Sequence, residues 1–396
     1  MTPDTPLRVL IVCAGDLDWP GEKHALAVAQ QLARLGHSAM LSLGALTSAK
    51  APEEQPGLQL HAHRFRGRAL RREDREAAVR FAPDLIHAQT SRLPVIAATR
   101  SYLGAAPAPV FVRFEDSEWH LMQLPYGGTR QPWPVRRALS LARPDAWLRS
   151  TRSTLRWTGA HARALDALTP ALADEVRRRL GRECTALLPP SPRLLPDPEP
   201  FDFPPGLAGR ELVVLAGSLG EETLIDFRLA LGATALLQRG GRKVALVHAG
   251  KVHLSTPLHE IVAEFGLEHA SVEALGYLPG AQHHHLLRQA AVLVQPGSVS
   301  PVNRLRLPSK LQSYFEAGTP TVTYGAGFGE MLRDRDEVLK TTTSDPAELA
   351  GRIAEVLDDP DLRRTLAAGG PRAASRLFDP ERTVRKLVDH YHAHLR

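Results

Sequence analysis

The sequence predicts an α/β protein of two domains, each built on a parallel sheet flanked by helices. Three observations lead there. The chain has 396 residues, and at roughly 100–200 residues per domain this suits two cores. Apolar runs of four to seven residues alternate with longer helical patterns throughout, which is how parallel α/β sheets read. Between the halves, Pro189 to Pro205 holds eight prolines and little that forms a regular element.

Taken in order, the first half offers strands at Arg8–Cys13, Ser38–Leu43, Leu58–His61, Asp84–His87, Val110–Arg113 and Cys184–Leu188. The second half offers Leu212–Ala216, Val244–His248, Val272–Leu275, Val292–Gln295, Thr321–Tyr324 and Val338–Lys340. The expected division is a first domain over 1–190, a linker over 191–210, a second domain over 211–378 and a terminal helix over 379–396. In that helix Val384, Leu387, Val388, Tyr391 and Leu395 share one face. Two similar domains facing each other leave a cleft, and open parallel sheets bind ligands beyond the carboxyl ends of their strands. Function is therefore expected between the domains.

Composition narrows the class. No window reads as a signal peptide or an apolar span of about 18 residues, so a cytoplasmic protein is expected. Cys13 and Cys184 lie in or beside apolar runs and read as buried thiols rather than a disulfide framework. Residues 1–200 carry 27 Lys+Arg against 20 Asp+Glu, and residues 201–396 carry 22 against 23. The basic excess thus belongs to the first half. It gathers in Arg64 to Arg80 and in Arg130 to Arg182, the latter with Trp133, Trp147 and Trp157. Such stretches are solvated faces or surfaces for an anionic lipid or anionic acceptor. No nucleic-acid motif accompanies them.

Four glycine turns and one acidic loop carry candidate chemistry. Ala14 to Leu41 reads strand end, glycine loop, helix, Gly-His turn, strand, with Gly15 and Gly21 free to approach a ligand. It lacks the G-x-G-x-x-G dinucleotide spacing. Val112 to His120 sets Glu115, Asp116, Glu118 and His120 at a strand end, as solvated carboxylates or as contacts to an acceptor hydroxyl. The run His283–His285 cannot converge on one ion from a helix, so no metal is expected. LAGSLGEE from Leu215 and LVHAGKVH from Leu246 are strand ends with glycine loops, and ALGYLP from Ala274 ends in a turn that suits a flat ring.

The stretch LPSKLQSYFEAGTPTVTYG, from Leu307 to Gly325, is a short helix punctuated by Pro308 at its start and by Gly318 and Pro320 at its end. Leu307, Leu311, Tyr314 and Phe315 form its core face, and Ser309, Gln312, Ser313 and Glu316 its polar face. Together with the loops at Gly217 and Gly276, the Gly21 helix and Gly36-His37, this stretch resembles the nucleotide-sugar site of family 4 GT-B glycosyltransferases. The likeness covers nearly the whole chain, most strongly Leu212 to Thr323.

The resemblance implies two facing Rossmann-like domains, with the donor bound by the second, the acceptor by the first, and the terminal helix returning to the first. It implies transfer from a UDP- or GDP-linked sugar with retention, in cell-surface glycan or glycoconjugate synthesis, without a cofactor or metal. The acceptor would be a glycan, a lipid-linked molecule or a small molecule, met by a cytoplasmic protein that rests on the inner face of the membrane and binds no nucleic acid. The donor residues expected are Gly21, Gly217, Ser218, Gly276, Tyr277, Ser309, Lys310, Leu311 and Glu316, and the catalytic ones Asp116, His120, Arg306 and Lys310. Helix amides at Ser309 and the Lys310 ammonium would meet the diphosphate, and Glu316 the ribose. In two places the sequence departs from the family pattern. Pro308 stands where a glutamate usually lies eight residues before Glu316, and Gly217 to Glu222 lacks the usual arginine and lysine. Arg304 and Arg306, with Lys310, are the substitutes expected for that pair. Two alternatives share the architecture: a sugar-nucleotide 2-epimerase and a non-catalytic partner subunit.

Overall fold

The computed structural model describes residues 5–395 apart from 18, 47–54, 68, 123–143, 192–195, 222, 269–270 and 298–299. Trp133 and the arginines from 130 to 143 therefore lie outside the described residues.

The chain divides into two compact units. The first comprises Met1–Pro192, Leu305–Leu307 and Phe378–Arg396, and the second Arg193–Arg304 and Pro308–Leu377. The first unit holds β1 (Arg8–Val12), β2 (Ser38–Leu43), β3 (Leu58–Ala62), the hairpin strands β4 (Phe65–Arg66) and β5 (Ala69–Leu70), β6 (Leu85–Ala88), β7 (Val110–Phe114), β8 (Ala164–Ala167) and β9 (Thr185–Ala186). Its main sheet runs β3-β2-β1-β6-β7-β8-β9, all parallel. The second unit holds β10 (Glu211–Ala216), β11 (Leu219–Gly220), β12 (Val244–Ala249), β13 (Val252–His253), β14 (Val272–Ala274), β15 (Val292–Gln295), β16 (Thr321–Tyr324) and β17 (Leu339–Thr341). Its main sheet runs β14-β12-β10-β15-β16-β17, again parallel.

Both orders reverse direction beside their first strand, between β1 and β6 and between β10 and β15. At such a reversal the flanking loops part, and the strand ends open a crevice. Helices cover both faces of a parallel sheet, so its strands are apolar without alternation. Both sheets obey this: Val9 to Cys13 and Val244 to Leu246 are buried throughout.

Some boundaries differ from the sequence reading for local reasons. Asp84 precedes β6 because its carboxylate takes the Arg8 amide at 2.7 Å and the Arg8 guanidinium at 2.9 Å. β9 is cut to Thr185–Ala186, ahead of Pro189 and Pro190, which have no amide to give a ladder. β8 was not expected. Its ALDA sequence has a carboxylate inside the strand, and Asp166 is fully buried. It is tolerated because Arg113 Nε donates to Asp166 Oδ2 at 2.6 Å and His87 Nε2 donates to Oδ1 at 3.0 Å.

The helix Pro380–Leu395 packs on the first unit. Asp379 accepts the Arg382 amide at 2.8 Å and so starts it. Val384, Leu387, Val388 and Tyr391 then enter the core beside Val9, Ile11 and Phe111, each worth roughly 1.5–3 kcal/mol on full burial. The Tyr391 hydroxyl donates to His87 Nδ1 at 2.6 Å, which completes a buried chain Tyr391–His87–Asp166–Arg113. The proline-rich segment is ordered by the histidine run. His284 Nδ1 donates to Pro196 O at 2.7 Å, and His285 packs on Phe201 and Phe203. No cluster that could hold a metal occurs among the described residues. Among them no helix is long and apolar enough to cross a membrane. Cys13 and Cys184 are buried and unpaired.

Candidate functional site

In the second unit three glycines end neighbouring strands in conformations that side chains resist: Gly217 at φ +106°, Gly250 at +152° and Gly276 at +69°. They let the loops stack. Gly217 N–H donates to Ala249 O at 2.8 Å, and Gly250 N–H donates to Gly276 O at 2.7 Å. A Cβ on residue 250 would lie 2.1 Å from Gly217 O. Two short strands then continue the contact, with Leu219 N–H donating to Lys251 O at 2.9 Å and β11 pairing with β13.

The helix Lys310–Ala317 approaches the same loop, beyond Ser309 at its N-cap position. The Tyr314 hydroxyl accepts the Ala216 amide at 2.8 Å and donates to Val294 O at 3.3 Å, tying the helix to the ends of both strands at the reversal. Lys310 consequently lies against Gly217: a Cβ there would sit 3.3 Å from Lys310 Cε and 3.5 Å from Nζ. His248 Nε2 donates to Gly217 O at 2.8 Å. Burial, with Lys310 adding its charge, lowers His248 to about 4 and keeps it neutral. An ammonium, a side-chain-free glycine and the start of a helix thus meet at one strand end, an arrangement able to hold an anion.

Other expected donor residues distribute around this centre. Ser218 follows Gly217 and is half-buried. Gly276 turns the chain so that Tyr277 stands 68% exposed, with Lys251 Nζ 5.8 Å from its ring centroid. Leu311 is core, lining a small cavity with Pro308 and Gln295. The expected polar face is not solvated: Gln312 is 1% exposed, and Ser313 is buried with its Oγ donating to Lys310 O at 2.8 Å. At about 100° per residue, Ser313 and Tyr314 continue the side of the helix that Lys310 begins, while Glu316 stands roughly 200° from Tyr314. Glu316 is half-buried, on the side of the helix that Ser309 begins. Arg304 is exposed in the helix Pro301–Leu305. Arg306 belongs to the Leu305–Leu307 segment counted with the first unit, where Leu305 joins the core and its carbonyl accepts from Thr169 Oγ1 at 2.7 Å. Lys251 and His248 were not singled out from the sequence. Their signal was the position next to a strand-terminal glycine in LVHAGKVH.

The first unit's reversal is furnished differently. Gly15 N–H donates to Glu22 Oε1 at 2.8 Å. Gly21, near the start of the helix Pro20–Arg34, leaves room for another carboxyl: a Cβ there would lie 2.5 Å from Glu115 Oε2. Gly21 therefore serves Glu115 inside the first unit. Burial raises the Glu115 carboxyl to about 8, and the neighbouring Glu22 and Asp116 push the same way. Arg92 binds the next two acids, donating to Asp116 Oδ2 at 2.8 Å and to Glu118 Oε1 at 2.9 Å. His120 is tied to its own helix start, its Nδ1 2.8 Å from Ser117 Oγ. Asp116 and His120 thus lie at one strand end with Glu115, each already engaged. Gln89, which follows β6, is buried with no hydrogen-bond partner for its amide among the described residues.

Comparison with known proteins fits this arrangement. Residues 210–359 match the family model described as glycosyl transferases group 1. No curated protein matches the chain. Among solved structures, HepE of Anabaena in complex with UDP and glucose superposes with a TM-score of 0.68 at 15% identity, covering 98% of this chain and 100% of its own. Sucrose-phosphate synthase of Thermosynechococcus elongatus gives 0.66 at 14%, covering 97% and 98%. A putative UDP-N-acetylglucosamine 2-epimerase of Listeria monocytogenes gives 0.59 at 12%, covering 98% and 97%. Residues 210–359 thus carry a glycosyl transferases group 1 domain, and the chain shares the two-unit parallel α/β fold of these structures.

Proposed function

We propose that a UDP- or GDP-linked sugar binds at the carboxyl ends of β10, β12 and β14, and that the sugar passes with retention to a glycan, lipid-linked or small-molecule acceptor in glycoconjugate synthesis. The observation that carries this reading is Lys310 packed on Gly217. Leaving-group departure puts charge on the diphosphate, and an ammonium fixed beside a glycine loop stabilises that charge without reorganising. Ser309 and Ser218 supply further donors around it, and Tyr277 a platform for the base. Arg306, shortly before Lys310 in the sequence, is proposed as a further cation for the leaving group. HepE, a neighbour in fold, is described in complex with UDP and with UDP-glucose.

A thermal-shift series with UDP-, GDP-, ADP- and dTDP-sugars tests the reading, since a ligand at 100 times its Kd stabilises by ~2.7 kcal/mol. Absence of any shift, with no binding in calorimetry, would replace it by a non-catalytic partner subunit. A second reading shares the architecture. Glu115, lying against Gly21, and Glu22, bonded to Gly15, are carboxyls at the first unit's strand ends of the kind an epimerase uses as acid and base around a sugar ring. An isomeric nucleotide sugar formed without any acceptor would establish it.

The basic first unit supports a membrane-peripheral site of action. Arg64, Arg66 and Arg75 are exposed and have no ion-pair partner among the described residues, around the exposed Phe65 of the β4–β5 hairpin. Arginines flanking an apolar ring suit an anionic lipid surface. Co-sedimentation with acidic vesicles that falls with salt is the expected result. Equal recovery with neutral vesicles would remove the idea.

A further inference from the structure

The loop after β10 lacks a basic residue from Gly217 to Glu222, yet a nucleoside diphosphate brings about two negative charges whose burial without partners is costly. Lys310 answers one. The strand ends place another lysine at the same loop. Leu219 pairs with Val252 in the β11–β13 ladder, so Ser218 is the cross-strand neighbour of Lys251, one residue back along each chain. Neighbouring strands lie about 4.8 Å apart, and a lysine stem is long enough to carry its ammonium across that spacing.

The packing that brings Lys251 there is specific. Gly250 is held at φ +152° with no space for a side chain, because a Cβ would meet Gly217 O at 2.1 Å and Ser218 N at 3.1 Å. The residue after Gly250 is thereby fixed beside the loop that Lys310 also touches. Lys251 is also unspent. It is exposed, has no ion-pair partner among the described residues, and rests its ammonium over the Tyr277 ring at 5.8 Å. A cation–π contact of this kind at an exposed site is weak. The carboxylate of Glu221, which shares the loop, is already occupied by the Ser255 amide at 2.8 Å and hydroxyl at 2.7 Å.

We propose that Lys251 is the second cation for the donor diphosphate, standing in from the neighbouring loop for the basic pair missing between Gly217 and Glu222, and that it leaves the Tyr277 ring when the donor binds. This rests on the donor reading above. Its consequence is an exchange: the phosphates draw Lys251 inward, and the face of Tyr277 is uncovered for a nucleobase.

The test uses the full chain and the nucleoside diphosphate, among UDP, GDP, ADP and dTDP, that gives the largest thermal shift, with its phosphate-free nucleoside as control. Lys251→Gln is expected to raise the Kd of the diphosphate at least tenfold, to flatten its salt dependence, and to leave the nucleoside unaffected. The loss should persist in a Tyr277→Leu background. A change below threefold in Lys251→Gln, alongside a tenfold loss in Lys310→Ala, would overturn the role of Lys251 and leave the donor site standing. A loss that disappears in Tyr277→Leu would show that Lys251 acts through the ring, and would equally overturn it. If neither lysine matters, the donor reading itself fails.

Discussion

The two units share one sheet order around their first strands, β3-β2-β1-β6 and β14-β12-β10-β15, and use the reversal in opposite ways. In the second unit it is lined by glycine backbone, a neutral histidine and lysines; in the first it is lined by Glu22, Glu115, Asp116 and Glu118 with Arg92 among them. Topology fixes where a site opens. The side chains at the strand ends decide which charge it accepts: the second unit's are cationic or neutral, and the first unit's are mostly carboxylates.

The glycines give the widest separation between the units. A Cβ at Gly250 meets backbone at 2.1 Å, whereas one at Gly21 meets the movable end of Glu115 at 2.5 Å. Gly250→Ala should cost about 3–5 kcal/mol, combining overpacking with a forbidden φ, and Gly21→Ala under half of that. Thermal unfolding of the two variants checks it, and equal losses would break the contrast. Next comes charge. Lys310→Ala should lower donor turnover by ~10–100-fold, the value of a charge-assisted hydrogen bond of about 1.5–3 kcal/mol. Arg306→Ala should lower it about tenfold, and the pair should be less than additive if both act on one leaving group. Steady-state kinetics with saturating acceptor reads this, and full activity in both single variants would end the leaving-group role.

The pH dependence should also separate the units. Glu115 has a folded pKa of about 8, above its usual carboxyl range, so folding favours its protonated form. Its contribution is complete below about pH 4.5 and is lost as pH rises through 8. His248 has a folded pKa lowered to about 4 from 6.5, so its contribution is present above 6.5 and is lost as pH falls through 4. Glu115→Gln should therefore rescue stability only on the alkaline side, and His248→Gln should flatten only the acid side. Urea midpoints from pH 4 to 9 would show this, and an alkaline rescue by the histidine variant would contradict it. The smallest effect is expected from Glu316→Ala. As the proposed ribose contact, Glu316 should on replacement raise the nucleotide Kd about two- to tenfold by calorimetry, the value of one hydrogen bond of about 0.5–1.5 kcal/mol, and unchanged affinity for UDP and GDP would remove the assignment.

The main strands of both sheets were legible because parallel strands write themselves as unbroken apolar runs, and the last helix because its apolar residues recur at helical spacing. β8 was not, since the charge of Asp166 interrupts its run and the compensating Arg113 and His87 come from strands far away in sequence. The same holds at the site. Lys310 announced itself through local helix punctuation. Lys251 depends on which loop lies beside which, a matter of register between β11 and β13 that no single stretch records. Periodicity also marked Gln312 and Ser313 as part of a polar face, and tertiary packing buries both.

The return of the final helix has a consequence for biosynthesis. The first unit draws on segments far apart in the sequence, Met1–Pro192 and Phe378–Arg396, so a nascent chain cannot finish it until the helix Pro380–Leu395 has been made. At about 5–20 residues per second, residues 193–377 take the ribosome ~10–40 s. During that interval the sheet face that Val384, Leu387 and Tyr391 later cover stays open, and His87 and Asp166 wait for a hydroxyl still to be made. The second unit, nearly continuous, folds within its own stretch of translation. The order of completion is thus the reverse of the order of synthesis, and an amino-terminal fragment ending in the linker is expected to need a chaperone, or the helix supplied as a separate peptide, to remain dispersed.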